Sequence, residues 1–284
     1  MLILAPLRGV TINAFRRVFA AQIAEAGFSE AFAPFIPANP GIKVRDSYLK
    51  EILPFEENLV PQVITKAPGA MRTLLKAFKD AGYRRADLNA GCPFPMIVRR
   101  GRGAGLLGNV PLLERLVATG VEEMGEGNFS VKTRLGIDKT GEIDAILPVF
   151  AKYPLRFVTI HGRTARQMYS GLCDKARLAQ IAASAPFKVV KNGDFDTDCG
   201  EGDVMVGRSF VRALGRRKDS CELFLRYMEE SQKELQGDRP VLGRLKELAL
   251  YWAESSRFWA KKWNSLKICR SLREVEQLLT RTLS

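Results

Sequence analysis

From residue 2 to about residue 208, short β-type runs alternate with segments of helical period, and this alternation constrains the fold more than any other feature. The strand candidates are Leu2–Pro6, Phe28–Ala33, Leu59–Ile64, Arg85–Asn89, Phe129–Arg134, Phe157–His161, Phe187–Asn192 and Asp203–Gly207. Between most of them lie helical segments over Ile12–Ala26, Ala70–Ala81, Val110–Met124, Glu142–Lys152 and Ala176–Ser184. Strands alternating with helices of this length make βαβ units and a parallel sheet. Eight strands in about 210 residues match a (β/α)8 barrel near its lower size. Periodicity alone leaves a doubly wound open sheet as the alternative.

Two connections break the rhythm. Pro34–Pro54 contains four prolines and no clear helix, so it reads as a long excursion between the second and third strands. Between Asn192 and Asp203 lie ten residues, Gly193–Gly202, rich in Asp and Gly. A parallel crossover ordinarily takes a dozen or more residues and a helix, so the seven-to-eight connection is too short to hold one. After Arg208 the character changes. From about Ser220 the pattern is helical apart from a Gly237–Pro240 break, and Leu242–Trp259 and Ser271–Leu283 carry apolar spacings of three and four. The expected fold is a (β/α)8 TIM barrel over residues 1–219, with a shortened connection between strands 7 and 8, plus a small C-terminal helical domain over residues 220–284.

Charge narrows the partners. Lys and Arg number 44 against 31 Asp and Glu, a net +13, which favours polyanions: nucleic acid first, an anionic membrane second. No apolar stretch approaches the roughly 18 residues needed to cross a bilayer. The apolar opening Met1–Pro6, followed by Arg8, is too short for a cleaved leader. The five cysteines (Cys92, Cys173, Cys199, Cys221, Cys269) are odd in number, unevenly spaced and without C-x-x-C. They form neither a disulfide framework nor a zinc site, so no metal and a reducing, cytoplasmic setting are expected. His161 is the only histidine.

Active sites of such barrels gather at the C-terminal ends of the strands, where this chain places Gln62, Asp87, Asn89, Lys132, Arg134, His161, Asn192 and Asp194. Alternation puts Ser130, Lys132 and Arg134 on one face of their strand and Phe129, Val131 and Thr133 on the other. The basic pair then points into the barrel mouth, where an anionic or electron-rich ligand would offset the cost of burial; a solvated strand end or a salt bridge to Asp87 is the plainer alternative. His161 reads equally as a structural or a functional residue. Cys92, between Gly91 and Pro93 just after a strand, is either a rim acid or nucleophile or a small buried hydrophobe. Gly103–Gly108 matches G-x-G-x-x-G, but Arg99, Arg100 and Arg102 precede it where a strand should end, so it reads as a rim loop. Asn192-Gly193-Asp194 and Gly207-Arg208 resemble a phosphate cradle, since barrels frequently place phosphate after strands seven and eight. Arg257, Lys261, Lys262, Lys267, Arg270 and Arg273, interleaved with Phe258, Trp259 and Trp263, suit RNA, the tryptophans mostly packing. A second basic cluster is Arg212, Arg216, Arg217 and Lys218.

Taken in order, Ala5-Pro6-Leu7-Arg8-Gly9-Val10-Thr11 with Phe15-Arg16, Gln62, Asp87-Leu88-Asn89-Ala90-Gly91-Cys92-Pro93, Gly101–Leu107, Val131-Lys132-Thr133-Arg134-Leu135-Gly136, His161-Gly162-Arg163-Thr164 with Gln167, Tyr169 and Gly171, Asn192-Gly193-Asp194 and Val204–Arg208 form a set. That set resembles the motifs of the tRNA-dihydrouridine synthases. The resemblance spans the barrel, and it implies FMN reduced by NADPH, hydride passing from FMN N5 to C6 of a uridine, and Cys92 protonating C5. It also implies that Lys132 and His161 hold the flavin ring, that Gln62 and the Pro6–Leu7 backbone line it, and that Asn192, Gly193, Asp194, Gly207 and Arg208 hold its phosphate. Asn89 and Arg134 fall to the uracil side, and the C-terminal cations to tRNA, with a monomer expected and no membrane. The chain departs from the family at Leu7-Arg8 (commonly Met-Ala), at Asp174-Lys175 (commonly Asp-Trp) and at Thr197–Gly202, which replaces a longer helical connection. Two other readings remain: a flavin barrel acting on a free pyrimidine, and an RNA-binding barrel without redox activity.

Overall fold

The computed structural model describes residues 1–280 apart from 43, 199 and 201. Its strands are β1 (Leu2–Leu4), β2 (Glu30–Phe32), β3 (Ile36–Pro37), β4 (Leu59–Val60), β5 (Gln62–Ile64), β6 (Ala86–Ala90), β7 (Phe129–Arg134), β8 (Val158–His161), β9 (Val189–Asn192) and β10 (Val204–Val206). They form one sheet in the order β3-β5-β6-β7-β8-β9-β10-β1-β2-β4, parallel throughout. β4 and β5 are two halves of the third stave, parted by Pro61. Proline has no N–H to give a ladder, but the Pro61 carbonyl accepts from the Asp87 amide at 3.0 Å. Since β4 pairs with β2 and β5 with β6, eight staves close through Pro61. The fold is therefore a (β/α)8 barrel rather than an open sheet.

Helical spans deviate where packing overrides period. Ile12–Ala26 becomes two helices, Asn13–Val18 and Ala20–Glu25, parted at Phe19, and Glu142–Lys152 begins as a 3-10 turn before Leu147–Ala151. The Pro34–Pro54 excursion, expected to lack helix, carries β3, a helical turn at Asp46–Leu49 and a 3-10 turn at Lys50–Ile52. Between β9 and β10 the described residues contain no helix, as the short connection requires. Leu242–Trp259 is not one helix. Asp238–Ala253 ends before Ser256, whose hydroxyl caps the next helix, Arg257–Leu266, by accepting from the Trp259 amide. The last helix is Leu272–Thr280; positions 281–283 of the expected span lie outside the described residues. None of the helices described is long and apolar enough to cross a membrane.

Two apolar regions organise the molecule. Inside the barrel, Ile3, Phe32, Val60, Phe157, Val190 and Met205 fill the lower lumen as a small separate cluster. Below them Glu30, almost fully buried on β2, is gripped by Arg156 through bonds of 2.6 and 2.7 Å and by Arg85. A buried carboxylate is tolerable when paired in this way. The main core lies outside the staves and continues into the C-terminal helices. Trp252 is its junction, meeting Phe19 edge-on at 6.1 Å, Phe224 at 5.6 Å and Trp259 at 4.8 Å. Tyr227 packs on Phe15 and Phe19 beside it.

Candidate active site

At the C-terminal ends of the staves lies a cavity of about 440 Å³, within the range of small-molecule sites. Strand register assembles it: Asn89 lies beside Lys132, Arg134 beside His161, and His161 beside Asn192. Cys92 reaches it because the chain turns sharply after β6. The Asn89 side-chain oxygen accepts from the amides of Gly91 (3.2 Å) and Cys92 (2.8 Å), a local side-chain turn. Gly103, in the left-handed region at φ +53°, packs over Cys92, where a Cβ would come within 2.8 Å of the cysteine Cβ. The Gly103–Gly108 segment is thus a 3-10 loop closing the rim, not a dinucleotide fingerprint.

A buried polar chain supports this turn. Asn89 Nδ2 donates to Gln62 Oε1 (2.7 Å), Gln62 Nε2 donates to Asp87 Oδ2 (2.7 Å), and Ser130 Oγ donates to Asp87 Oδ1 (2.6 Å). Burial pushes Asp87 up to about 7, against these bonds and the charge of Lys132. The folded carboxyl keeps its proton to about 7, whereas an unfolded one loses it near 3.8. The folded state binds the extra proton between those values, so stability falls as pH rises through that window. Urea unfolding of Asp87→Asn at pH 4.5 and pH 7 should show a smaller loss across the interval than the parent chain does; an unchanged loss would assign the slope elsewhere.

The cations converge above. Lys132 does not form the salt bridge to Asp87 that was the plainer expectation; its Nζ donates to Asn192 Oδ1 at 2.8 Å. Burial, then the charge of Arg134, lowers Lys132 to about 7, with Asp87 opposing. Burial also brings Arg134 down to about 10, and its guanidinium bonds to the carbonyls of Gly91, Thr164 and Met168 at 2.8–2.9 Å. His161 is lowered well below its usual value by burial and by the surrounding arginines and Lys132, and is therefore neutral at pH 7. Its buried Nδ1 has no hydrogen-bond partner among the described residues. The Arg134 and Arg208 guanidiniums both lie over the Tyr169 ring, at 5.4 and 4.9 Å. Asp194, left-handed at φ +53°, bonds to Arg163 and to Arg208 at 3.3 Å. Burial opposes its ionisation, but these two arginines hold its pKa below the usual range. Burial raises the Cys92 thiol, against the Phe94 amide and the charges of Arg134, Arg8 and Lys132. It is a protonated thiol at neutral pH.

Of the residues singled out from sequence, Pro6, Leu7, Asn89, Cys92, Lys132, Arg134, His161, Asn192, Gly193, Asp194, Gly207 and Arg208 all line this one cavity. Gln62 does not; it lies fully buried behind Asn89. Arg257 and Lys261 are exposed on the Arg257–Leu266 helix and Lys267 and Arg270 on the connection after it, all outside the cavity lining, and Lys262 is half-buried, donating to the Leu278 carbonyl. Trp259 is wholly buried, as a packing residue should be. Sequence reasoning missed Phe35 and also Glu247 and Tyr251, which the Asp238–Ala253 helix brings into the cavity wall; Arg212, read only as part of a second basic cluster, lines the cavity too. No strand-end rule could have found residues that arrive from a distant helix.

Fold and site together define a (β/α)8-barrel protein with a basic cavity at its strand ends and one buried thiol. Against solved structures the likeness is one of fold: the old yellow enzyme homologue from Zymomonas mobilis superposes with a TM-score of 0.53 at 12% identity, over 74% of this chain and 85% of that one. A family model described as dihydrouridine synthase matches residues 3–210, and the chain belongs to that family. A probable tRNA-dihydrouridine synthase of Rhodobacter capsulatus is 30% identical over 220 residues, 72% of this chain and 66% of that protein. Probable tRNA-dihydrouridine synthase 1 of Synechocystis is 30% identical over 195 residues, 67% of this chain and 53% of that one. The chain therefore spans between about half and two thirds of these relatives' length.

Proposed function

We propose that the protein is an FMN-dependent, NADPH-consuming enzyme that reduces uridine to 5,6-dihydrouridine in RNA, tRNA being the substrate. The observation that carries this reading is one buried thiol facing a cavity lined by Lys132, Arg134 and Arg208, within a chain of the dihydrouridine synthase family. The cavity suits a flavin. Lys132, desolvated and without an ionic partner, and the unpartnered Nδ1 of His161 stand ready for an electron-rich ring. Pro6 and Leu7 wall the cavity, while Asn192, Gly193, Asp194, Gly207 and Arg208 surround the position for a phosphate. When bound, the flavin supplies the hydride that adds to C6 of the uracil ring.

The chain's own residues do the rest. Cys92 holds a proton on Sγ and gives it to C5, and burial keeps that proton in place at neutral pH. Asn89 fixes the turn that aims the thiol and lies beside the base, and Gln62 acts from behind it. Arg134 and Tyr169 wall the uracil side. Residues 1–219 form the catalytic barrel, and 220–284 the RNA-binding helical unit. Arg257, Lys261, Lys262, Lys267 and Arg270 meet phosphates there, so RNA affinity falls steeply with salt. A monomer working in the cytoplasm fits this reading.

The test is direct. Purified protein should show visible flavin absorbance or bind added FMN, and with NADPH should form dihydrouridine in a tRNA transcript, read by mass spectrometry. Absence of any flavin binding would sink the reading. One observation favours a second one: Asp194 already occupies Arg208, the cation that a cofactor phosphate would use. An RNA-binding barrel without redox activity would bind the transcript and leave NADPH unoxidised.

A further inference from the structure

Two acidic groups of the cavity wall, Asp196 and Glu247, have no part in the proposed chemistry, and Glu247 is the one that a C-terminal helix carries in. Glu247, on the Asp238–Ala253 helix, lines the same cavity as Cys92 and Lys132. Around it the arginines are otherwise engaged: Arg212 pairs with Glu254, Arg208 with Asp194, and Arg134 with backbone carbonyls. Among the described residues none forms a hydrogen bond or ion pair with the Glu247 carboxylate. Glu247 and Arg8 are both exposed to solvent at the rim; the part of the Glu247 carboxylate turned to the protein has its pKa raised by burial, with the charge of Arg8 opposing. Gly9 makes room for it, since a Cβ there would overlap the carboxylate, and at φ +80° the backbone itself favours glycine. Arg8, the neighbour of Gly9, lies over the Phe35 ring at 5.8 Å and bears electrostatically on both Glu247 and Cys92. An acceptor and a donor with no hydrogen-bond partner among the described residues thus line the same cavity as the thiol.

The two match the edge of one base. Uracil presents an N3–H donor flanked by carbonyl acceptors, whereas cytosine in the same pose presents a bare N3 acceptor and an amino donor. We propose that Glu247 is a specificity-determining residue for uracil, its carboxylate accepting the N3–H while the Arg8 guanidinium donates to the carbonyl oxygen on C4. Asn89, whose amide is committed to Gln62 and to the turn amides, is then left to position Cys92. Cytosine would set acceptor against acceptor at Glu247 and donor against donor at Arg8, so the pair rejects as well as selects. This inference rests on the proposed reduction of uridine, and it makes the C-terminal helices part of base recognition as well as of RNA binding.

The test uses the full chain and fluorescein-labelled RNA octamers of adenosine carrying a single uridine, 3-methyluridine or cytidine, read by anisotropy. The parent protein should bind the uridine octamer about tenfold more tightly than the 3-methyluridine one, the discrimination of one good base contact. Glu247→Ala should bring that ratio to about one. Glu247→Gln, whose amide can turn its donor toward a cytidine N3, should narrow the preference for uridine over cytidine even if the alanine variant fails to fold. A tenfold ratio retained in Glu247→Ala, or an unchanged uridine preference in Glu247→Gln, overturns the inference. A parent protein that forms dihydrouridine in a tRNA transcript yet ignores N3 methylation overturns this inference alone. One that forms none and shows no preference for uridine overturns the proposed function with it.

Discussion

Replacing Cys92 by alanine is expected to lower dihydrouridine formation by about 10²–10⁴-fold, the usual contribution of a positioned general acid, while leaving flavin bound. The expectation follows from where the thiol sits. Its backbone is held by the Asn89 turn and by the rim loop, whose Ala104 amide donates to the Cys92 carbonyl at 3.0 Å. Neither contact involves the side chain, so removing the sulfur should leave the cavity intact. Serine should rescue little, because a hydroxyl is a far weaker acid than a thiol at the same position. The pH dependence has a definite sign. The active form is protonated, and burial raises the thiol above its usual 9.0, so the proton-transfer step should be level through neutral pH and fall only in alkali. Single-turnover oxidation of the reduced holoenzyme by a tRNA transcript, followed through the flavin absorbance, reads this step apart from NADPH binding. A Cys92→Ala enzyme that reduces uridine at the parent rate would remove the thiol from the mechanism.

The barrel was legible in the sequence because parallel staves buried on both faces must be short apolar runs, and helices must alternate with them. β7 matches its expected span of Phe129–Arg134 residue for residue, and so does the Val110–Met124 helix. Legibility failed where one residue overrides the period. Pro61 divides a stave, and Ser256 divides what reads as a continuous amphipathic helix. In the site, strand-end position found Lys132, Arg134, His161 and Asn192, because register alone sets these neighbours side by side. It misplaced Gln62, which lies one layer below the cavity and acts through Asn89. It could not anticipate Glu247 or Tyr251, since their approach depends on how the C-terminal helices dock, and docking is decided by shape rather than by spacing.

That docking leads to the second large effect. Trp252→Ala should destabilise the protein by about 3–5 kcal/mol, the range for deleting a fully buried large aromatic, against a typical total of about 5–15 kcal/mol. Trp252 is completely buried, and three rings, Phe19, Phe224 and Trp259, close around it. Gly215 lies against it so closely that a Cβ there would fall 2.5 Å from the indole, so little room exists for neighbours to collapse into a void. Its indole N–H is buried without a partner among the described residues, and Trp252→Phe removes that uncompensated donor while keeping most of the ring. The phenylalanine variant should therefore cost much less than the alanine one. Because Phe19 belongs to the barrel and Trp259 to the tail, the loss should also loosen the helix that carries Glu247 and Tyr251 into the cavity. Urea unfolding followed by both circular dichroism and tryptophan fluorescence distinguishes the cases. One shared core predicts a single transition moved to lower urea in both signals. A barrel transition left unmoved, with only an early tail transition shifted, would mean that the two parts fold independently and that Trp252 stabilises the tail alone.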